Sequence, residues 1–380
     1  MKSVTDAGKV ATAAVVKGST EVVEPIQGPV LDEPLATNSV EAPRLARHQI
    51  ELSDGHLVGV TVAGRGVPLV VVHGFSVEGF LYAQSLSRLV KMGFRVIAID
   101  TAGHGATQGL PLSGQNLNDY ADLLARAVDE LGLERFVLAG HSMGGQLITR
   151  MAAKHPDRVM GVVLIDAIVG DTWDRMVYLF RVAPPLLGAV GGVLLIDSLS
   201  IMPTFSDPRQ AAKLIRLVAP TLAGHMVQPW RLLGPMLSIL RTRSSRYALD
   251  EIAAHDIPVF VLHGSMDLAV PHRTARDTVK RTDGVLVTIE GAGHSWMLRD
   301  PEALPAIVAE LLAAELGDGI RRSLRAAGVR KKHPTLEDVE AVCYRPDAKV
   351  FALSPGDPRR IRVGRHRKPK YSWHVEHASS

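Results

Sequence analysis

Four short apolar runs, separated by stretches of helix length, restrict the folds open to this 380-residue chain more than any other feature. They are Leu69-Val70-Val71-Val72, Val96-Ile97-Ala98-Ile99, Phe136-Val137-Leu138-Ala139 and Val162-Val163-Leu164-Ile165. None alternates with polar residues, so each fits a strand buried on both faces, as a parallel sheet requires. Residues 80–92, 117–131 and 143–155 lie between them with helical patterning, and the last stretch stops before Pro156. Strict alternation of strand and helix predicts an α/β fold with a doubly wound, mostly parallel sheet. Ahead of the first run, residues 48–52 and 56–62 read as two strands around the turn Ser53-Asp54-Gly55.

The alternation breaks after Asp166. About eighty apolar, helix-like residues follow. It resumes at Val259-Phe260-Val261-Leu262, with a helix from about Thr274, a strand over 285–289 and a helix over 301–316. The expected organisation is therefore a flexible extension (1–47), a core (48–169 and 249–316) split by a helical lid (170–248), and a basic C-terminal extension (317–380). The lid would sit above the carboxyl ends of the strands, where such sheets bind ligands.

With 46% hydrophobic residues the chain has ample material for a large core. Cys343 is the only cysteine, which excludes an intrachain disulfide and a thiolate metal cluster within one chain. The net charge of +4 misleads as an average. Between Pro358 and Lys370 stand seven cations (Arg359, Arg360, Arg362, Arg365, Arg367, Lys368 and Lys370) and no acid, so the remainder is net acidic. A basic tail argues for an anionic membrane surface rather than for a nucleic-acid-binding body. The run Val10–Val16 is short for a signal-peptide core, and residues 182–196 are too few to span a bilayer. A cytoplasmic protein, held peripherally at a membrane by its tail, is expected.

Gly140-His141-Ser142-Met143-Gly144 fits G-x-S-x-G. In a chain with 34 glycines and 22 serines that pattern is cheap, and its placement carries the argument. Ser142 directly follows an apolar strand and precedes a helix, the setting in which a serine Oγ is presented on a sharp turn. A serine needs a base to accept its proton. Of 15 histidines, His294 in Gly291-Ala292-Gly293-His294 follows the last core strand and is the candidate base. His73 and His263 end strands as His-Gly and read as structural. His141 neighbours Ser142, but consecutive residues at such a turn point apart. The base needs an acid to fix its tautomer. Asp267 lies on the turn after the strand that follows the insertion; Asp166, ending the strand before it, is the rival. Backbone N–H groups of Met143 and Phe75 are available for a tetrahedral oxyanion. Asp100 reads as a loop-structuring acid.

These segments, with His73-Gly74-Phe75 and the stretch 100–105, resemble the α/β-hydrolase fold in its serine esterase/lipase branch, in the family's order, from His48 to about Leu316. The resemblance implies a Ser142–His294–Asp267 triad, an oxyanion hole at Phe75 and Met143, and a helical lid. Epoxide hydrolases and haloalkane dehalogenases of this fold place an Asp at the elbow, which Ser142 argues against. Acyltransferases, thioesterases and carbon–carbon bond hydrolases keep the serine triad and stay open, and an inactive binding protein is a remote alternative. HExxH, Walker and GxGxxG patterns are absent from the core, so no metal or nucleotide cofactor is expected. The apolar surplus of the insertion points to a lipophilic ester, with Leu195 and Trp230 as candidate substrate contacts.

Overall fold

The computed structural model describes residues 45–75, 82–111, 115–200, 227–353 and 368–378, without the side chains of 194–200, 229 and 230. The expected N-terminal extension up to residue 44 lies outside the described residues.

A sheet of nine strands forms the centre: β1 (Ala46–Glu51), β2 (Leu57–Ala63), β3 (Val67–Val72), β4 (Phe94–Ile99), β5 (Phe136–His141), β6 (Val159–Ile165), β7 (Val259–Gly264), β8 (Val285–Ile289) and β9 (Trp373–His377). Their spatial order is β1-β2-β4-β3-β5-β6-β7-β8-β9. Strands β3 to β8 run parallel; β1, β2 and β9 are antiparallel to their neighbours. Every residue of β3 to β8 is buried, so each needs apolar side chains on both faces, which is why these runs lack alternation.

Helices cover both faces. On one side lie α1 (Ala83–Leu89), α10 (Ala303–Leu312) and α11 (Glu315–Ala326). On the other lie α2 (Leu117–Glu130), α3 (Met143–Lys154), α7 (Arg246–Ala254) and α8 (His272–Thr282). Asn116 caps α2 by accepting from Asn118 N–H, and Asp119 reaches back to the Asn116 N–H, which fixes where that helix begins. After β3 the chain turns one way, to β4; after β5 it turns the other, to β6. That reversal opens a crevice at the carboxyl ends of β3 and β5.

Between β6 and β7 the described part of the insertion is helical: α4 (Asp171–Val182), α5 (Pro185–Ser200), a 3₁₀ turn (Pro229–Leu232) and α6 (Leu233–Arg241). The turn leans on the loop after β4, where Arg231 Nη2 donates to the Gly105 carbonyl at 3.3 Å. The helix α5 is apolar round its circumference, and Leu186 and Leu179 nearby are partly exposed. No helix among the described residues is long and apolar enough to cross a membrane.

The C-terminal segment, expected as a basic extension, packs on the core. The helix expected over 301–316 breaks into α10 and α11, and α11 buries Leu316, Ile320 and Leu324 at a spacing of four while turning its arginines outward. A further helix, α12 (Leu336–Cys343), is capped by Thr335 and buries Val339 and Cys343. Tyr344 Oη donates to the Gly66 carbonyl at 2.7 Å. Then β9 closes the free edge of β8. The basic character of the segment belongs to its solvent face, and an averaged charge concealed the apolar stripe beneath it. A short α9 (Trp296–Arg299) follows the loop after β8.

Candidate functional site

Ser142 stands between β5 and α3 with φ 52° and ψ −116°, a backbone that L side chains rarely adopt. The glycines of the pentapeptide permit it. A Cβ on Gly144 would lie 2.2 Å from the Val72 carbonyl oxygen, and one on Gly140 would lie 2.6 Å from Gly144. The elbow is thus wedged against β3 as tightly as backbone can pack. Ser142 N–H donates to the Ile165 carbonyl at 2.9 Å, tying the turn to β6 as well. Ser142 occupies the N-cap position of α3, yet its side chain makes no capping hydrogen bond. Its Oγ is left for other chemistry, at the expense of the roughly 1 kcal/mol that such a cap commonly contributes.

Two further turns meet this elbow. The first, after β7, carries Asp267; the second, after β8, carries His294. They are laced together: Ser265 N–H donates to Ile289 O and Met266 N–H to Ala292 O, both at 2.9 Å, and Gly291 N–H to Ser265 Oγ at 2.8 Å. His294 Nδ1 lies 2.7 Å from Asp267 Oδ2. The other carboxylate oxygen, Oδ1, accepts from the N–H groups of Ala269 and Val270 at 2.8 and 2.9 Å. Burial alone would push Asp267 towards protonation, but the His294 charge and hydrogen bond, His263 and the backbone donors outweigh it and hold the carboxyl below its ordinary range. An ionised Asp267 accepts the Nδ1 proton, which leaves Nε2 of His294 as the basic nitrogen.

Asp166, the rival acid, is fully buried at the end of β6 with φ 43°. Its Oδ1 accepts from Gly264 N–H at 2.8 Å and its Oδ2 from the Trp296 indole at 2.6 Å. Burial and the neighbouring Asp267 charge push its carboxyl well above the ordinary range. It ties the end of β7, ahead of the Asp267 turn, and Trp296, just past His294, onto β6. Asp166, His263 and Asp267 bring three possible metal-ligand atoms within 4.8 Å of one another. All four carboxylate oxygens are hydrogen-bonded and His263 Nε2 donates to the Val270 carbonyl, so these groups hold turns together, while His263 Nδ1 is buried without a hydrogen-bond partner.

His73, Asp100 and His141 have structural partners. His73 Nε2 accepts from Thr101 N–H at 2.9 Å, and Asp100 accepts from Ala106 N–H. His141 reaches the loop that carries His294: its Nε2 lies 3.0 Å from the His294 carbonyl oxygen. Burial first, then repulsion from His294, push its pKa down to about 3. That contact and the Trp296 clamp are invisible to sequence reasoning; no local pattern announces them.

Met143, fully buried, is the first residue of α3, so its N–H lies outside the helical ladder. Phe75 follows β3 across the crevice and packs edge-on to His104. Leu195 lies on α5 and Trp230 on the 3₁₀ turn, and their side chains lie outside the described ones.

Residues 69–306, more than half of the chain, match the family model described as "Alpha/beta hydrolase family". A Mycobacterium phage D29 protein named for non-heme haloperoxidase activity is 34% identical over 287 residues, covering 73% of this chain and 98% of that protein. Among solved structures, an esterase of Rhodococcus sp. ECU1013 superposes with a TM-score of 0.55 at 24% identity, covering 70% of this chain and 98% of its own. An esterase of Thermogutta terrifontis gives 0.54 at 23% identity, with coverages of 70% and 98%. These two likenesses bear on the fold. The family match over more than half of the chain, together with the phage relative at 34% identity, makes the chain a member of the alpha/beta hydrolase family.

Proposed function

We propose that this protein is a serine hydrolase that cleaves carboxylic esters of apolar acyl groups through an acyl-enzyme on Ser142. The observation that carries the reading is the 2.7 Å bond between His294 Nδ1 and Asp267 Oδ2, on a loop hydrogen-bonded to the residue before Ser142. In this reading His294 Nε2 takes the Ser142 proton as Oγ attacks the ester carbonyl. The Met143 and Phe75 N–H groups stabilise the oxyanion that forms. As the carbon–oxygen bond breaks, His294 passes the proton to the departing alkoxide, releasing the alcohol. Water, deprotonated by the same imidazole, then attacks the acyl-enzyme, and the acid leaves with Ser142 reprotonated. Asp267 holds the ring and stabilises its charged form.

The insertion acts as a lid in this reading. Its apolar α5 supports a lipophilic acyl group, and each methylene buried there would contribute about 0.8 kcal/mol, close to fourfold in specificity. The test is a panel of acyl esters and thioesters of rising chain length, with fluorophosphonate labelling beside it. kcat/KM should rise from acetyl to at least octanoyl, and Ser142→Ala should abolish both turnover and labelling. Near-normal turnover in that variant would refute the reading. Because the phage relative is named for haloperoxidase activity, one arm supplies hydrogen peroxide and bromide and follows halide oxidation. Oxidation exceeding ester cleavage would favour that second reading.

A further inference from the structure

Tyr82 takes no part in the mechanism above, yet its side chain reaches the centre of the site. It stands just before α1, is 4% exposed, and places its phenol oxygen 2.9 Å from His141 Nδ1. The other nitrogen of that ring, Nε2, lies 3.0 Å from the His294 carbonyl oxygen. A carbonyl can only accept, so Nε2 carries the proton. Buried beside His294, the His141 ring is held neutral, with its pKa pushed down to about 3. Its Nδ1 is therefore a lone pair, and Tyr82 is its donor. Burial raises the Tyr82 phenol above its ordinary range, which keeps that donor proton in place; the Gly74 backbone N–H, directed at the phenol oxygen, opposes the rise. The direction of the chain is thus set: Tyr82 O–H to His141 Nδ1, and His141 Nε2–H to the His294 carbonyl.

The same point meets the loop after β3. Gly74 packs on the His141 ring so closely that a Cβ there would lie 2.8 Å from Nδ1. Gly74 immediately precedes Phe75. Three pieces of the site, widely separated in the chain, therefore share one buried junction: the loop after β3, the elbow and the base loop. A phenylalanine at position 82 would fill nearly the same volume and make the same edge-on ring contact with His141. Only the hydroxyl supplies the donor, and without it a buried Nδ1 is left unpaired.

We infer that Tyr82 is a positioning residue for the hydrolytic reaction: through His141 it fixes the backbone of His294, and at the same junction it holds the loop that carries the Phe75 N–H. The inference rests on the serine-hydrolase reading, and its tests separate the two. In the full chain, Tyr82→Phe should lower kcat about 10- to 100-fold, the range expected when a catalytic group is displaced by up to an ångström. KM should stay within about twofold, the melting temperature should change little, and the rate of fluorophosphonate labelling should fall in proportion to kcat. His141→Leu removes both the donor to the His294 carbonyl and the acceptor for the Tyr82 hydroxyl. In that background Tyr82→Phe should have no further effect. Equal fold-losses in both backgrounds, or a Tyr82→Phe enzyme within twofold of wild type, would overturn the inference. A wild type that cleaves no ester and takes no label refutes the hydrolase reading instead. Nitrogen-15 NMR of the wild-type histidines gives a readout independent of turnover. His141 should be the Nε2–H tautomer, with an Nδ1 resonance that shifts in Tyr82→Phe; an Nδ1–H tautomer would overturn the inference outright.

Discussion

Ser142 holds a strained backbone and forgoes the capping bond its position offers. Residues held in such regions cost of order 1–3 kcal/mol and persist where their surroundings over-determine them. Here the surroundings are β3, β5 and β6, gripping the elbow from three sides. Ser142→Gly should therefore melt above Ser142→Ala, by about 1 kcal/mol in unfolding free energy, with both variants inactive. The two aspartates divide their labour by position. Asp267→Asn should lower kcat roughly 10²–10⁴-fold, as when a triad acid is replaced. Asp166→Asn should lose far less activity while lowering the melting temperature, because one of two buried N–H donors loses its acceptor. The reverse ranking in steady-state kinetics would move the acid to Asp166. Buried histidines set a pH dependence. His141 is pushed down to about 3 and His263 to about 4, each by burial first, against an ordinary 6.5. Both stay neutral when folded and gain a proton when unfolded, so their stabilisation is complete above pH 6.5 and is lost as pH falls towards 4. Each contributes up to about 1.4 kcal/mol per pH unit in that window. Asp166, raised rather than lowered, acts in the opposite direction. His141→Gln should flatten the pH dependence of unfolding between pH 6 and 4.5 by about one proton, measured by urea titration at each pH.

Among the elements, the C-terminal helix and strand do more than their sequence suggests. The buried face of α11, with Ile320 wholly enclosed, packs beneath β6. Ile320→Ala should destabilise the protein by about 2–5 kcal/mol, the range for truncating an enclosed aliphatic side chain. Substitution of the exposed Arg322 on the same helix should change stability by less than about 0.5 kcal/mol. At the far edge of the sheet, β9 covers β8, whose five residues are all buried. Without β9, β8 would present an unpaired apolar edge, a template for pairing with other chains. A chain ending at residue 367 should self-associate, seen as rising light scattering at concentrations where the full chain scatters little.

Across the whole molecule the charge is divided between a net acidic remainder and the seven cations of 358–370. We propose that these cations favour anionic membranes, at about 1 kcal/mol per residue near the surface before screening. The structure determines how to test this. Truncation before the cations would also remove β9, so Arg359, Arg360, Arg362, Arg365 and Arg367 are better changed together to Gln in the full chain. Sedimentation with anionic vesicles at low salt should show binding by the wild type and little by the variant. Equal pelleting would refute the role of the tail.

Much of the architecture is written in local pattern. Six strands buried on both faces need unbroken apolar runs, and helices between them need periodic ones, so their order can be read directly. The two glycines about Ser142 mark the elbow because a Cβ on either would collide with backbone, on Gly140 with Gly144 and on Gly144 with the end of β3. His294 and Asp267 are legible as candidates because each follows a strand, on the side of the sheet where ligands bind. Their meeting at 2.7 Å is not legible, nor is the choice of Trp296 rather than His294 as a partner shown for Asp166. The contacts of His141 with Tyr82 and His294 span 59 and 153 positions. β9 carries too short an alternation, beside too basic a stretch, to announce itself. Periodicity and glycine sterics act between residues a few positions apart and leave their mark in the local sequence. Contacts between loops far apart in the chain exist only once the sheet has brought the carboxyl ends of its strands together, and the order of that sheet decides them.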